Sequence, residues 1–187
     1  MFDTRSVVGR SGLRAAVVAV ALGLAVSACT PAKAGAAAIV GDRRITSQQV
    51  NDSSQGIREG NPQLAQGDGL ERTVLYYLVI SPWVLSAAQA TGNGVSNQEA
   101  AKLLPKTTTP DPGSILVLRT FTALQKMQQA GASEALAQVQ KDIGAADPKL
   151  SPRYGTFDVQ QMSIVDAPPN WVVPKSEPTE STNPGQP

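Results

Sequence analysis

The most hydrophobic segment after residue 29 runs from Leu70 to about Ala90, and it limits what the chain can fold into. Leu70, Val74, Tyr77, Leu78, Leu85 and Ala88 recur at the spacing of one broad helical face. Such a face has to be buried, so this segment is expected to be the central core helix. Asp68 is placed to cap its start, with Glu71 at the capping-box position. Pro82 lies inside it. Proline supplies no N–H and its ring crowds the preceding turn, so a kink or break is expected near Ile80-Ser81. Recurring polar residues and this proline argue against a membrane span over 73–90.

Weaker signals flank the core helix. Ala37-Ala38-Ile39-Val40 reads as a strand, Gly41-Asp42 as a turn, and Arg43-Arg44-Ile45 as the returning strand. Thr46 with Gln49 forms a capping box that opens a polar helix ending near Gly60-Asn61-Pro62. Ser96 with Glu99 repeats the pattern before a short helix to about Leu104. A helix over roughly Pro112 to Ala130 carries Ile115, Leu118, Phe121, Leu124 and Met127. Another starts at Ser133, with Leu136, Val139 and Ile143 on one face. After Asp147-Pro148 the pattern suits a strand or loose hairpin over Tyr154 to Val165.

The first residues tell a different story. Arg5, Arg10 and Arg14 precede Ala15 to Val26, an uncharged and mostly apolar run too short to span a bilayer. It suits the core of an export signal. Val26-Ser27-Ala28-Cys29 follows, and Cys29 is the one cysteine of the 187-residue chain. These residues resemble the lipobox of bacterial lipoproteins. The resemblance implies cleavage between Ala28 and Cys29, a diacylglyceryl group on the Cys29 sulfur, and membrane lipid as a partner. Two or more acyl chains give stable anchoring. The domain plan is then a signal over 1–28, a lipidated spacer over 29–36, a folded domain over 37–166 and a Pro-rich disordered tail over 167–187. Within the tail, Trp171-Val172-Val173 is the segment suited to docking on the domain.

Composition narrows the functions. The chain has no histidine and a formal net charge of +1. Losing the leader, with three arginines and one aspartate, brings the charge to about −1. Electrostatic attraction to nucleic acid or anionic lipid is not expected to drive binding. Without histidine the commonest general base and metal ligand are missing, and a lone cysteine excludes an internal disulfide and Cys/His zinc sites. No catalytic constellation, metal site or cofactor site is expected.

Three segments in order resemble the N-terminal domain of SurA-like and PrsA-like chaperones. They are Ala38-Ile39-Val40-Gly41-Asp42-Arg43-Arg44-Ile45-Thr46, the helix end Ala87 to Gly92 running into Gly94-Val95-Ser96-Asn97-Gln98-Glu99, and Ser151-Pro152-Arg153-Tyr154-Gly155-Thr156-Phe157-Asp158. The resemblance implies a mainly α lobe. A small two-stranded β element would pair its start, near 37–45, with its end, near 154–165. It also implies an apolar groove for unfolded clients. PrsA-type members insert a parvulin isomerase domain, for which there is no room between Leu104 and Tyr154, and parvulin sites use histidine. Isomerase activity is therefore not expected.

The functional expectation is a lipid-anchored protein on the extracytoplasmic face of the cell membrane, acting as a chaperone or holdase for exported polypeptides. The alternative is an adaptor for one cell-envelope partner. Tyr76, Tyr77 and Trp83 are candidates to line a client groove, or else they are core. Asp42, Arg43 and Arg44 are read as a solvated turn, with a functional charge cluster as the alternative. Arg153 is read as ordering its strand through pairing or a cation–π contact with Tyr154, with binding of a ligand carboxylate as the alternative.

Overall fold

The computed structural model describes residues 35–167. The signal, Cys29 and most of the spacer lie outside the described residues, as does nearly all of the tail with Trp171. The described chain is mainly helical, with two small antiparallel sheets. In chain order the elements are β1 (Ala36–Val40), β2 (Arg43–Thr46), α1 (Ser47–Gly60), α2 (Leu70–Ala90), α3 (Asn97–Ala101), α4 (Pro112–Gln129), α5 (Ser133–Ala146), β3 (Lys149–Leu150), β4 (Thr156–Asp158) and β5 (Ser163–Val165).

The expected caps form at α1 and α3. Thr46 Oγ1 accepts from Gln49 N at 3.0 Å, and Ser96 Oγ accepts from Glu99 N at 3.1 Å. Each satisfies one of the donors that a helix start leaves orphaned. At α2 the cap differs from expectation. The cap position falls on Gly69, at φ +89°, and no side chain bonds there. That left-handed backbone suits glycine and leaves Asp68 one residue too early.

α2 is the core helix. Val74, Leu75, Leu78, Val79, Ile80, Val84 and Ala88 are all buried, and the helix lies against α1, α4 and α5. By length and composition it is apolar enough to cross a membrane, but here that face fills the interior of the fold.

Pro82 does not break α2, which is continuous from Leu70 to Ala90. Its missing N–H orphans the carbonyl of Leu78, four residues back. Two other donors satisfy that oxygen. Ser81 Oγ donates to Leu78 O at 2.9 Å, and Arg43 Nη1 donates to the same oxygen at 3.1 Å. Arg43 Nη2 also donates to Val79 O at 2.6 Å, and the guanidinium sits 6.0 Å from the centre of the Trp83 ring. Burial pulls the Arg43 pKa below its usual value. The Arg43 side chain is thus no part of a solvated turn. It repairs the proline defect and fastens the β1–β2 hairpin to the core helix.

The strand pairing also differs from expectation. β1 is the central strand of the sheet β2-β1-β3, and its late partner is Lys149-Leu150. The 154–165 segment does not pair with the start of the domain. Instead β4 and β5 form their own hairpin, with Phe157 opposite Ile164. Ser151 N still donates to Ala37 O at 2.8 Å, and the ladder ends there. The chain then turns, with Tyr154 N donating to Ser151 O at 2.9 Å. Gly155, at φ +106°, packs so tightly under the Val165 carbonyl that a Cβ there would collide with it. Arg153 stacks 4.7 Å from the Tyr154 ring centre, the cation–π contact expected.

α1 is polar because its inner face is built from small residues. Ser53, Ser54, Gly60, Val50 and Ile57 are buried. Ser114 Oγ donates to Ser53 O at 3.0 Å, and Asp111, the cap of α4, accepts from Ser114 N at 2.8 Å and Ser53 Oγ at 3.3 Å. Close approach of the two backbones is what lets these short side chains meet.

Two stability predictions follow from these contacts. A Cβ at Gly60 would sit 2.8 Å from Leu104 Cβ and 2.9 Å from Thr107 Oγ1. Gly60→Ala gains at most about 1 kcal/mol of helix propensity, against about 1–3 kcal/mol of overpacking. Urea denaturation is expected to show a net loss of about 1 kcal/mol. Arg43→Ala is expected to cost about 2–3 kcal/mol, because it removes charged donors from two carbonyls. In that background Pro82→Ala restores part of the loss by supplying the missing N–H, so the two substitutions are non-additive. Additive effects in the urea double-mutant cycle contradict the account.

Candidate functional site

Tyr76 and Tyr77 occupy adjacent positions on α2, so their rings leave the helix about 100° apart. Tyr76 turns toward the β4–β5 hairpin, where it stacks on Phe157 at 6.1 Å with planes 10° apart. Tyr77 turns toward α4, where it meets Phe121 edge-on at 5.7 Å and 81°. The two tyrosines meet each other edge-on at 5.1 Å. Four rings from α2, α4 and β4 therefore form a continuous chain, in geometries that the ring quadrupole favours.

A cleft of about 320 Å³ opens along this chain, lined by Tyr76, Tyr77, Leu124, Met162 and Ile164, with Arg72 at its edge. Its walls are α2, α4 and β5 with the turn before it. A smaller hollow of about 130 Å³ lies across Tyr77 and Thr73, lined in part by Leu64, Val117 and Phe121. Leu64 is 40 % exposed, the one large exposed hydrophobic among the described residues. The hairpin that forms one wall is held at both ends. Gln140 Nε2 donates to Val159 O at 2.9 Å, and Arg72 pairs with Asp166 at 2.7 Å. That ion pair is well exposed, so it fixes position more than it stabilises.

Of the three groove candidates, the structure brings Tyr76 and Tyr77 together in the cleft and leaves Trp83 out. Trp83 is not among the lining residues of either hollow; its ring lies beside Arg43. Phe121 and Leu124 read as ordinary apolar positions of α4, and Phe157, Met162 and Ile164 as an apolar strand. Nothing in their local spacing marks them as walls of one cleft. Ala28 and Cys29 lie outside the described residues. No cluster of three or more His, Cys, Asp or Glu able to hold a metal occurs among the described residues.

A third hollow, of about 550 Å³, lies between α3 and the start of α4. It is lined by Asn97, Pro110, Ile115 and Arg119 among others, with no aromatic side chain. Arg119 Nε donates to Val95 O at 3.0 Å.

Burial raises the Tyr76 hydroxyl pKa to about 12, and the neighbouring Tyr77 adds to the rise. Burial also raises that of Tyr77. Both groups are therefore neutral over any physiological range, and the cleft presents no charge from its rings. A folded-state pKa above the unfolded one keeps the proton on the folded protein. Stability from Tyr76 is thus fully present below pH 10 and is lost as pH rises from about 10 to about 12. Spectrophotometric titration is expected to show late tyrosinate formation coinciding with unfolding, with Tyr76→Phe reducing the loss of stability in that window.

Comparison with protein-family models, curated proteins and solved structures gives no match to this chain. The class defined by the fold is a mainly helical domain with small antiparallel sheets and an aromatic cleft.

Proposed function

We propose that this chain is a lipid-anchored extracytoplasmic protein that holds exported polypeptides through the Tyr76–Tyr77 cleft, without isomerase activity. The observation that carries the reading is an open aromatic cleft, whose one lining charge, Arg72, is paired with Asp166, beside a hollow lined by an exposed leucine. The leader and Val26-Ser27-Ala28-Cys29 support the anchor, and the segments similar to SurA-like chaperones support the client class.

The size of the cleft sets the strength of binding. One buried Leu or Phe side chain contributes about 1.5–3 kcal/mol. Association costs at least about 4 kcal/mol in lost freedom. One seated side chain alone falls short of that cost, so a single cleft captures only weakly and only when neighbouring contacts add to it. Tethering many copies on one membrane raises the local concentration and makes such weak sites effective together. A small cleft of fixed shape also suits one cognate side chain, which is the adaptor reading.

The full lipoprotein in proteoliposomes is expected to slow aggregation of a denatured client. Thr73→Arg, at an exposed lining position, is expected to abolish most of that effect with the fold intact. No suppression at stoichiometric excess overturns the holdase reading, and recovery of one stoichiometric partner from the membrane favours the adaptor. Metabolic labelling with a fatty-acid analogue is expected to mark the wild-type chain and not Cys29→Ala. Equal labelling of both overturns the anchor.

A further inference from the structure

The described chain ends at the rim of the aromatic cleft. Met162, Ser163 and Ile164 line it, and two residues later Asp166 pairs with Arg72, which lines the same cleft. The next residues are Ala167-Pro168-Pro169-Asn170, and then Trp171-Val172-Val173, an apolar triplet set among prolines and polar residues.

We propose that Trp171, with its two valines, is the resident occupant of the Tyr76–Tyr77 cleft, so that a client has to displace a segment of the chain itself. The reach is sufficient. Trp171 is five residues beyond Asp166, an extended span of about 17 Å. Arg72, which holds Asp166, is one helical turn from Tyr76, about 6 Å along α2. The chemistry matches as well. An indole fits walls made of tyrosine rings, a leucine, an isoleucine and a methionine thioether, which favours aromatic contact. The tether favours occupation: a short linker holds its end at an effective concentration on the order of millimolar, so a contact of about millimolar affinity, with the indole and both valines contributing, is about half filled. Pro168-Pro169 restricts the backbone before docking and lowers the entropy lost on it.

This regulatory role rests on the cleft being the polypeptide-binding surface, but occupation itself is measured without a client. The chain has two tryptophans, Trp83 and Trp171. Full-length protein is labelled with fluorotryptophan, and its two fluorine resonances are assigned with Trp171→Phe. The Trp171 resonance is expected to be displaced from that of the urea-unfolded chain and shielded from a soluble paramagnetic quencher. Thr73→Arg is expected to return it to the unfolded position and to full quenching, with the Trp83 resonance unchanged. A solvent-exposed Trp171 in the wild type overturns the proposal. So does a buried Trp171 that Thr73→Arg leaves in place, since the indole then sits elsewhere. A client assay separates the two readings. Trp171→Ala is expected to increase client capture; if neither protein captures client while Trp171 remains buried in the cleft, the holdase reading fails and the occupancy stands.

Discussion

A proline in the middle of the core helix is the constraint on which this fold depends. α2 packs against α1, α4 and α5, so a break at Pro82 would disorganise every layer. The helix stays continuous because Ser81 and Arg43 satisfy the carbonyls of Leu78 and Val79. The repair has a structural consequence beyond α2. Arg43 belongs to β2, so its bonds also fix the β1–β2 hairpin against the helix, and β1 in turn pairs with β3 from the far end of the domain. One guanidinium thus links the start of the chain to its most buried element, and the sheet links that start to the end. Its partners are carbonyl dipoles, a hydroxyl and an aromatic ring. They accept its hydrogen bonds and face its charge where burial removes water.

The aromatic cleft depends on the hairpin that failed to pair where the sequence placed it. Had 154–165 continued along β1, Phe157 would not be free to stack on Tyr76. The turn through Pro152 and Gly155 sends β4 and β5 to the side of α2 instead, and Gln140 of α5 holds the far turn. The result is a wall of Met162 and Ile164 from the hairpin, with Leu124 of α4 and two tyrosines of α2 around the same open space. A surface of this kind, aromatic and with its one lining charge paired, selects by size and apolarity more than by charge. Under the proposed function, that suits partners whose hydrophobic side chains are exposed, and it suits a low affinity multiplied by tethering.

Much of the local structure was legible in residues taken a few at a time. Thr46 and Ser96 each bond an amide three residues on, and Pro112 and Ser133 start helices where their patterns begin. Such features depend on neighbours within one turn, so a short window contains the whole cause. The fate of Asp68 was not legible, because Gly69 takes a left-handed backbone and moves the cap. Nor was the role of Arg43. An arginine after a Gly-Asp turn reads as solvated until an orphaned carbonyl 35 positions away is brought beside it. Tyr76 and Tyr77 were candidates from sequence, but Trp83, one heptad on, has its place beside Arg43.

The sequence by itself determined that residues 35–167 are mainly helical, that α2 is their core, and that the chemistry excludes histidine and an internal disulfide. These follow from composition and from periodicity along one dimension. Only the tertiary structure decided which strand pairs with the first, how Pro82 is tolerated, and which apolar side chains share a cleft. Those outcomes depend on donors, acceptors and rings far apart in the chain. Their interaction energies exist only once folding has brought them within a few ångströms.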